Sequence, residues 1–276
     1  PLSYQSSIGG VIGESKTDLE NCYNDGVITI DGRGNSDLVT EDTNSNKYGT
    51  QFYMGGVVGY ALAGSTLSLC ENKKEIKYTN GWCKTVLSYL GGIMGSYTGG
   101  MTMTGCTNSG AVTWESPSAA IVGGLAGAFN GTMSTSVNSG KVSVSNASTN
   151  SGKVSEIGGL VGYANAVFKD NESNGEITNT ADGTVTGAFI GGFGADGRTF
   201  EGNSVNAAVT ASSPAALGAV LGWFRSANTT GITVGTAEKK FVVKKGTKLN
   251  GAAVTTETLL GDSTNGTLDT TNVTIE

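Results

Sequence analysis

Val122-Gly-Gly-Leu-Ala-Gly127, followed ten residues later by Asn138-Ser-Gly-Lys-Val142, is the stretch on which the fold reading turns. The glycine doublet recurs as Ile8-Gly-Gly-Val-Ile-Gly13, Met54-Gly-Gly-Val-Val-Gly59, Leu90-Gly-Gly-Ile-Met-Gly95 and Ile157-Gly-Gly-Leu-Val-Gly162. A shortened copy, Ile190-Gly-Gly-Phe-Gly194, and a worn one, Leu217-Gly-Ala-Val-Leu-Gly222, complete the series. Successive doublets lie 46, 36, 32, 35, 33 and 27 residues apart. A period of this size marks stacked supersecondary units, none of which can bury its apolar face alone.

The asparagine motif keeps step with the doublets. It reads Asn24-Asp-Gly-Val-Ile28, Asn72-Lys-Lys-Glu-Ile76, Asn108-Ser-Gly-Ala-Val112 and Ser173-Asn-Gly-Glu-Ile177, with a weaker Val205-Asn-Ala-Ala-Val209. From the second doublet position to the Gly slot the gap is 16, 18, 18, 16, 16 and 15 residues. Asn before Gly suits a tight turn, and the alternation in Gly140-Lys-Val-Ser-Val144 reads as a half-buried strand. Each unit is expected to run strand, turn, short strand, turn, strand, without a helix. The length variation falls in the return leg, from 9 residues (Val209 to Gly218) to 27 (Ile28 to Gly55). A solenoid permits this, because an insert on one leg loops out of the stack. The expected fold is therefore all-β: a parallel β-helix-like solenoid of about seven Gly-Gly-x-x-Gly units over residues 1–235. Residues 236–276 are read as a C-terminal β cap, because the lysines of Lys239-Lys-Phe-Val-Val-Lys-Lys245 suit an edge that must not pair.

Composition limits the chemistry. Among 276 residues there are 44 Gly but only 3 Pro, which argues against a Pro-rich linker. No histidine is present, so the usual general base and the commonest nitrogen ligand are both missing. A net charge of −6 argues against nucleic acid or an anionic membrane as partner. The longest apolar run, Ala215 to Phe224, is far short of the roughly 20 residues of a membrane helix. No signal-peptide pattern opens the chain, so a mature or trimmed form is expected.

The run Gly159-Leu-Val-Gly162-Tyr163, followed by Asn174-Gly-Glu-Ile177, resembles the GLUG repeat of bacterial surface proteins. The Gly-Leu-x-Gly core of that family is matched by Gly124-Leu-Ala-Gly127 and Gly159-Leu-Val-Gly162, and the resemblance covers roughly residues 8–235. It implies an extracellular, cell-surface location and a non-catalytic role in adhesion or display. The implied partner is a protein or glycan of a host or neighbouring cell. It supplies no catalytic residue and no cofactor.

Several residues invite a chemical reading beside a packing one. Cys22, Cys70 and Cys106 share one column, four residues before the Gly slot, where later units carry Ser136, Asn171 and Asn203. Rungs about 4.8 Å apart bring such sulfurs together. A ladder of small buried thiols is favoured over a disulfide, and a metal trio, even with Cys83 nearby, is weaker still. Tyr60, Tyr97, Phe129, Tyr163 and Trp223 with Phe224 follow the doublets. Tyr60, Tyr97, Tyr163 and Trp223 are candidate ligand-binding rings for sugar faces, against the reading that such rings cover the core. Asp31, Asp37, Glu41 and Asp42 in the insert Asp31–Gln51 form a weak calcium set, against a solvated acidic loop. Gly191-Gly-Phe-Gly-Ala-Asp196 matches a calcium nonapeptide start, and Gly192 to Gly197 a dinucleotide string. Arg198 and the lack of a following helix disfavour both, leaving one repeat with a shortened bend.

The expected function is that of a monomeric surface solenoid binding through projecting loops. A structural stalk is the second reading, and a polysaccharide-degrading β-helix, needing converging carboxylates, the third.

Overall fold

The structure is a computed structural model and describes residues 4–31, 50–79, 87–147, 154–194, 197–225 and 230–276. One turn of the chain, from Ala120 to Ser145, shows how the sequence builds it. Ala120–Gly123 is a strand that ends on the first doublet glycine. The chain bends at Gly124-Leu125 into the long strand Ala126–Ser134, bends again into Val137–Asn138, and turns through Ser139-Gly140 into Val142–Ser145. Val142 and Val144 point inward while Ser143 and Ser145 do not, as the alternation predicts.

Stacking such turns makes four sheets. The doublet sheet has seven strands, from Tyr4–Gly9 to Ala216–Gly218. The central sheet, containing Ala126–Ser134, has fourteen. The asparagine sheet, containing Val137–Asn138, and the return sheet, containing Val142–Ser145, have eight each. Neighbouring strands are parallel and in register, as in Val112↔Val142 and Asn108↔Asn138. With 56% of the chain in strands and no α-helix among the described residues, the fold is an all-β, solenoid-like stack.

The terminal segment adds to the same sheets. Phe241–Val243 pairs with Ser204–Val205, and Val273–Ile275 pairs with Phe241–Val243. Leu260–Asp262 extends the central sheet from Leu221–Phe224. The return sheet ends differently: Lys248–Leu249 folds back on Ala252–Ala253 in an antiparallel pair.

The doublet and the asparagine turn out to be one device. A Cβ on Gly124 would collide with the Gly159 carbonyl of the next turn and with the Asn138 side chain of its own. The glycine therefore lets the backbones stack and admits an amide beneath the bend. That amide closes its own turn, with Gly140 N–H donating to Asn138 Oδ1 at 3.2 Å and Asn138 Nδ2 donating to Gly140 O at 3.0 Å. It also links turns: Asn24 donates to Asn72 (2.8 Å), Asn72 to Asn108 (2.7 Å) and Asn108 to Asn138 (2.8 Å). The ladder ends where Asn138 Nδ2 donates to Gly159 O and Ser173 takes the next place, its hydroxyl donating to Ala188 O.

A second buried column runs beside it. Asn21, Leu69, Gly105, Thr135, Asp170 and Gly202 all have positive φ, between 48° and 67°. This left-handed residue turns the chain so that the next one points inward: Cys22, Cys70, Cys106, Ser136, Asn171 and Asn203. The three cysteines are free thiols. Cys106 and Cys70 donate to the carbonyls of Leu67 and Leu19 on preceding turns.

The sixth doublet lies elsewhere than the spacing suggests. Gly158 pairs with Gly187 and Gly187 with Gly218, so Thr186-Gly-Ala-Phe-Ile-Gly191 is the repeat. Gly191 holds the trailing position, and Gly191-Gly192 is not the doublet. Ala188 stands in the second doublet place where the asparagine column has reached Val205 and no amide needs the room.

Candidate functional site

Along the doublet strands, residues alternate between two faces. Met54, Leu90, Val122 and Ile157 enter the main core. Tyr53, Tyr89, Ile121 and Glu156, in register with one another, take the other face. There Ile121, Leu87 and Ala119 form a small separate apolar cluster, with Tyr89 and Tyr163 packed on it. The facing column comes from the central sheet just after the trailing glycine: Tyr60, Ser96, Ala128, Tyr163, Gly192 and Trp223.

The aromatic column of the sequence therefore divides. Tyr60, Tyr163 and Trp223 share the face described here, and each is partly exposed. Phe129 and Phe224, one position further on, are buried in the main core with Phe193. Tyr97 is in register with the buried Ala61 and packs, partly buried, against the main core. The physical reason is the strand's period of two, which sends adjacent rings to opposite faces.

At one end of this face is an ion pair that the sequence reading did not single out. Glu156 has no exposed surface. Its Oε1 accepts from Trp223 Nε1 at 2.8 Å and Arg225 Nε at 2.9 Å, and its Oε2 accepts from Arg225 Nη2. The guanidinium lies over Tyr163, 3.8 Å from the ring centroid, and one-third of the Arg225 side chain remains exposed. Burial pushes the Glu156 carboxyl above its ordinary range, with Arg225 and Trp223 opposing. Gly192 and Gly194 make the space, since a Cβ on the first would strike the Glu156 carboxylate and on the second the Tyr163 hydroxyl. These are the glycines that imitate calcium and dinucleotide motifs. One signal was legible: a charged residue directly before Ile157-Gly-Gly, where the other turns carry the uncharged Ser7, Tyr53, Tyr89, Ile121, Val185 and Ala216.

Further along the face, Tyr53 and Tyr60 stand with ring centroids 4.5 Å apart, and Tyr53 and Tyr89 5.5 Å apart. The Tyr53 hydroxyl donates to Gln51 Oε1 and accepts from Gln5 Nε2. Tyr60 and Thr98 hydroxyls share a 2.5 Å hydrogen bond. Burial raises the Tyr53, Tyr89 and Tyr163 hydroxyls above their ordinary value. At neutral pH these hydroxyls keep their protons and both donate and accept. Together they offer ring surface, neutral hydroxyls and a charge-balanced ion pair, a set suited to holding a ligand.

Of the calcium candidates, Asp31 is exposed at the end of Ile28–Asp31, while Asp37, Glu41 and Asp42 lie outside the described residues, as does Cys83. Among the described residues no group of three Cys, Asp or Glu side chains is placed to hold a metal ion. Among them, too, no helix is long and apolar enough to cross a membrane. Comparison of the chain with protein-family models, curated proteins and solved structures found no match to any of them.

Proposed function

We propose that this chain is a non-catalytic, GLUG-type β-solenoid of a bacterial cell surface that binds a protein or glycan of a neighbouring or host cell. The observation that carries the reading is the face formed by Tyr60, Tyr89, Tyr163 and Trp223. Its rings are partly exposed and set in register on rigid strands, and the Glu156–Arg225 pair fixes one end. Ordered aromatic rings contribute contact area at little entropic cost, which is why they anchor many binding surfaces. The glycine and asparagine pattern supports the GLUG assignment, and the large polar insert between Ile28–Asp31 and Thr50–Gly55 offers a second contact region.

Binding of the purified chain to an array of glycans and matrix proteins tests this, with Tyr60→Ala and a Gly34–Tyr48 deletion as variants. A saturable ligand whose affinity falls about tenfold or more in Tyr60→Ala supports the aromatic face. A loss confined to the deletion moves the contact to the insert. Wild-type silence across the array would overturn the binding role and leave the stalk.

A further inference from the structure

The cysteine column has a property that its packing role does not use. Glu71 N–H donates to Cys22 O and Thr107 N–H to Cys70 O, both at 2.9 Å, so the three cysteines occupy equivalent places on successive turns. Equivalent atoms on neighbouring parallel strands are about 4.8 Å apart, within the span of Cα atoms that a disulfide bridges. The side chains are aligned too, because the Cys70 and Cys106 thiols donate to Leu19 O and Leu67 O in equivalent places of the preceding turns.

Three sulfurs in a row can make only one disulfide, and the two possible pairs differ in access. Cys106 is fully buried, and its backbone N–H donates to Ser136 Oγ of the turn beyond. Cys22 is partly exposed, because its turn is the first of the described stack. That turn is also the least covered, with Val11, Ile12, Tyr23 and Val27 between 37% and 65% exposed.

We propose that Cys22 and Cys70 are a disulfide-forming pair that staples the first turn to the second, with Cys106 left as a thiol. With a glutathione-type disulfide as oxidant, the Cys22 thiolate attacks one glutathione sulfur and releases the other glutathione as thiolate. Cys70 then attacks Cys22 Sγ in the mixed disulfide and expels the second glutathione. The two cysteine protons pass to the released thiolates or to solvent, and two electrons move from the protein to the oxidant. The bond closes the loop that contains the long insert and pins a turn that, among the described residues, pairs with a neighbour on one side.

The full chain, folded, is incubated with oxidised glutathione, alkylated, denatured and mapped by peptide mass. The expected result is one Cys22–Cys70 linked peptide and an alkylated Cys106. An unchanged thiol count, a Cys70–Cys106 or Cys83 linkage, or a persistent glutathione adduct on Cys22 would overturn the proposal. Proteolysis at Lys16 reads the consequence and should slow about tenfold or more on oxidation. Equal cleavage rates in the oxidised and reduced chain would remove the stapling role. Cys106→Ser places in that turn the residue that the next one already carries, and it should leave both results unchanged.

Discussion

A carboxylate with no exposed surface persists as an anion only while its partners stay in place, and Glu156 has three hydrogen bonds from two side chains. Arg225→Met removes two of them and, among the described residues, the one opposing charge on the group. The expected loss is about 2–3 kcal/mol at neutral pH, below the range for a fully buried pair because Arg225 is one-third exposed. The loss should also depend on pH. Burial already raises the folded-state pKa of Glu156, so the folded chain holds this proton more tightly than the unfolded one. Its contribution is therefore most favourable below the ordinary carboxylate value and declines as pH rises through the raised value. Without Arg225 the value rises further, so Arg225→Met should lose more stability than wild type between about pH 5 and pH 8. Urea titrations at both pH values measure this, and equal pH dependence in the two proteins would show that Arg225 does not hold the carboxylate. The residues of this face were only half legible. Tyr60, Tyr163 and Trp223 announce themselves by following a glycine motif, whereas Glu156 and Arg225 lie 69 residues apart and meet across the one turn that separates theirs.

At the scale of the element, the bend between the doublet and central sheets depends on a glycine and an amide that are distant in sequence. Gly124→Ala puts a methyl group against both Asn138 and the Gly159 carbonyl. Trimming the amide relieves only the first contact. The expected cost of Gly124→Ala is about 3 kcal/mol, and Asn138→Ala should cost about 2 kcal/mol by stranding the Asn108 donor and the Ser139-Gly140 turn. The double variant should remain at least as unstable as Gly124→Ala, because the backbone collision persists. A double-mutant cycle by chemical denaturation checks this, and recovery in the double variant would show that the side-chain contact alone demands glycine. This pairing of motifs explains why the fold was readable: every turn repeats two small, sterically exacting sites at nearly constant spacing. It also explains the error at the sixth doublet. Where the amide is absent, as at Val205, alanine fits the second doublet place, and an unrelated Gly191-Gly192 that clears Glu156 looks more like the motif than Gly187-Ala188 does.

For the whole molecule, stability in a stack comes from each turn's contacts with the turns on either side, so its two ends need not be equal. The far end carries closing devices: the return sheet stops at an antiparallel pair, Lys248–Leu249 with Ala252–Ala253, and the 3-10 turn Thr256–Thr258 stands before the final central strand. The first described turn has only parallel strands, each paired on one side among the described residues, and several exposed apolar side chains. Opening should therefore begin there. Amide exchange distinguishes the cases, because Ile28 N–H bonds to Glu75 O and Val142 N–H bonds to Glu176 O in equivalent places of the first and fourth turns. The reduced protein should exchange at Ile28 at least about a hundredfold faster than at Val142, a gap of about 2.7 kcal/mol in local opening. Lys248, whose N–H donates to Ala207 O beside the antiparallel pair, should fall between them. Equal exchange at all three amides would mean that the stack opens as one cooperative unit, and that an open first turn has no energetic consequence for the rest.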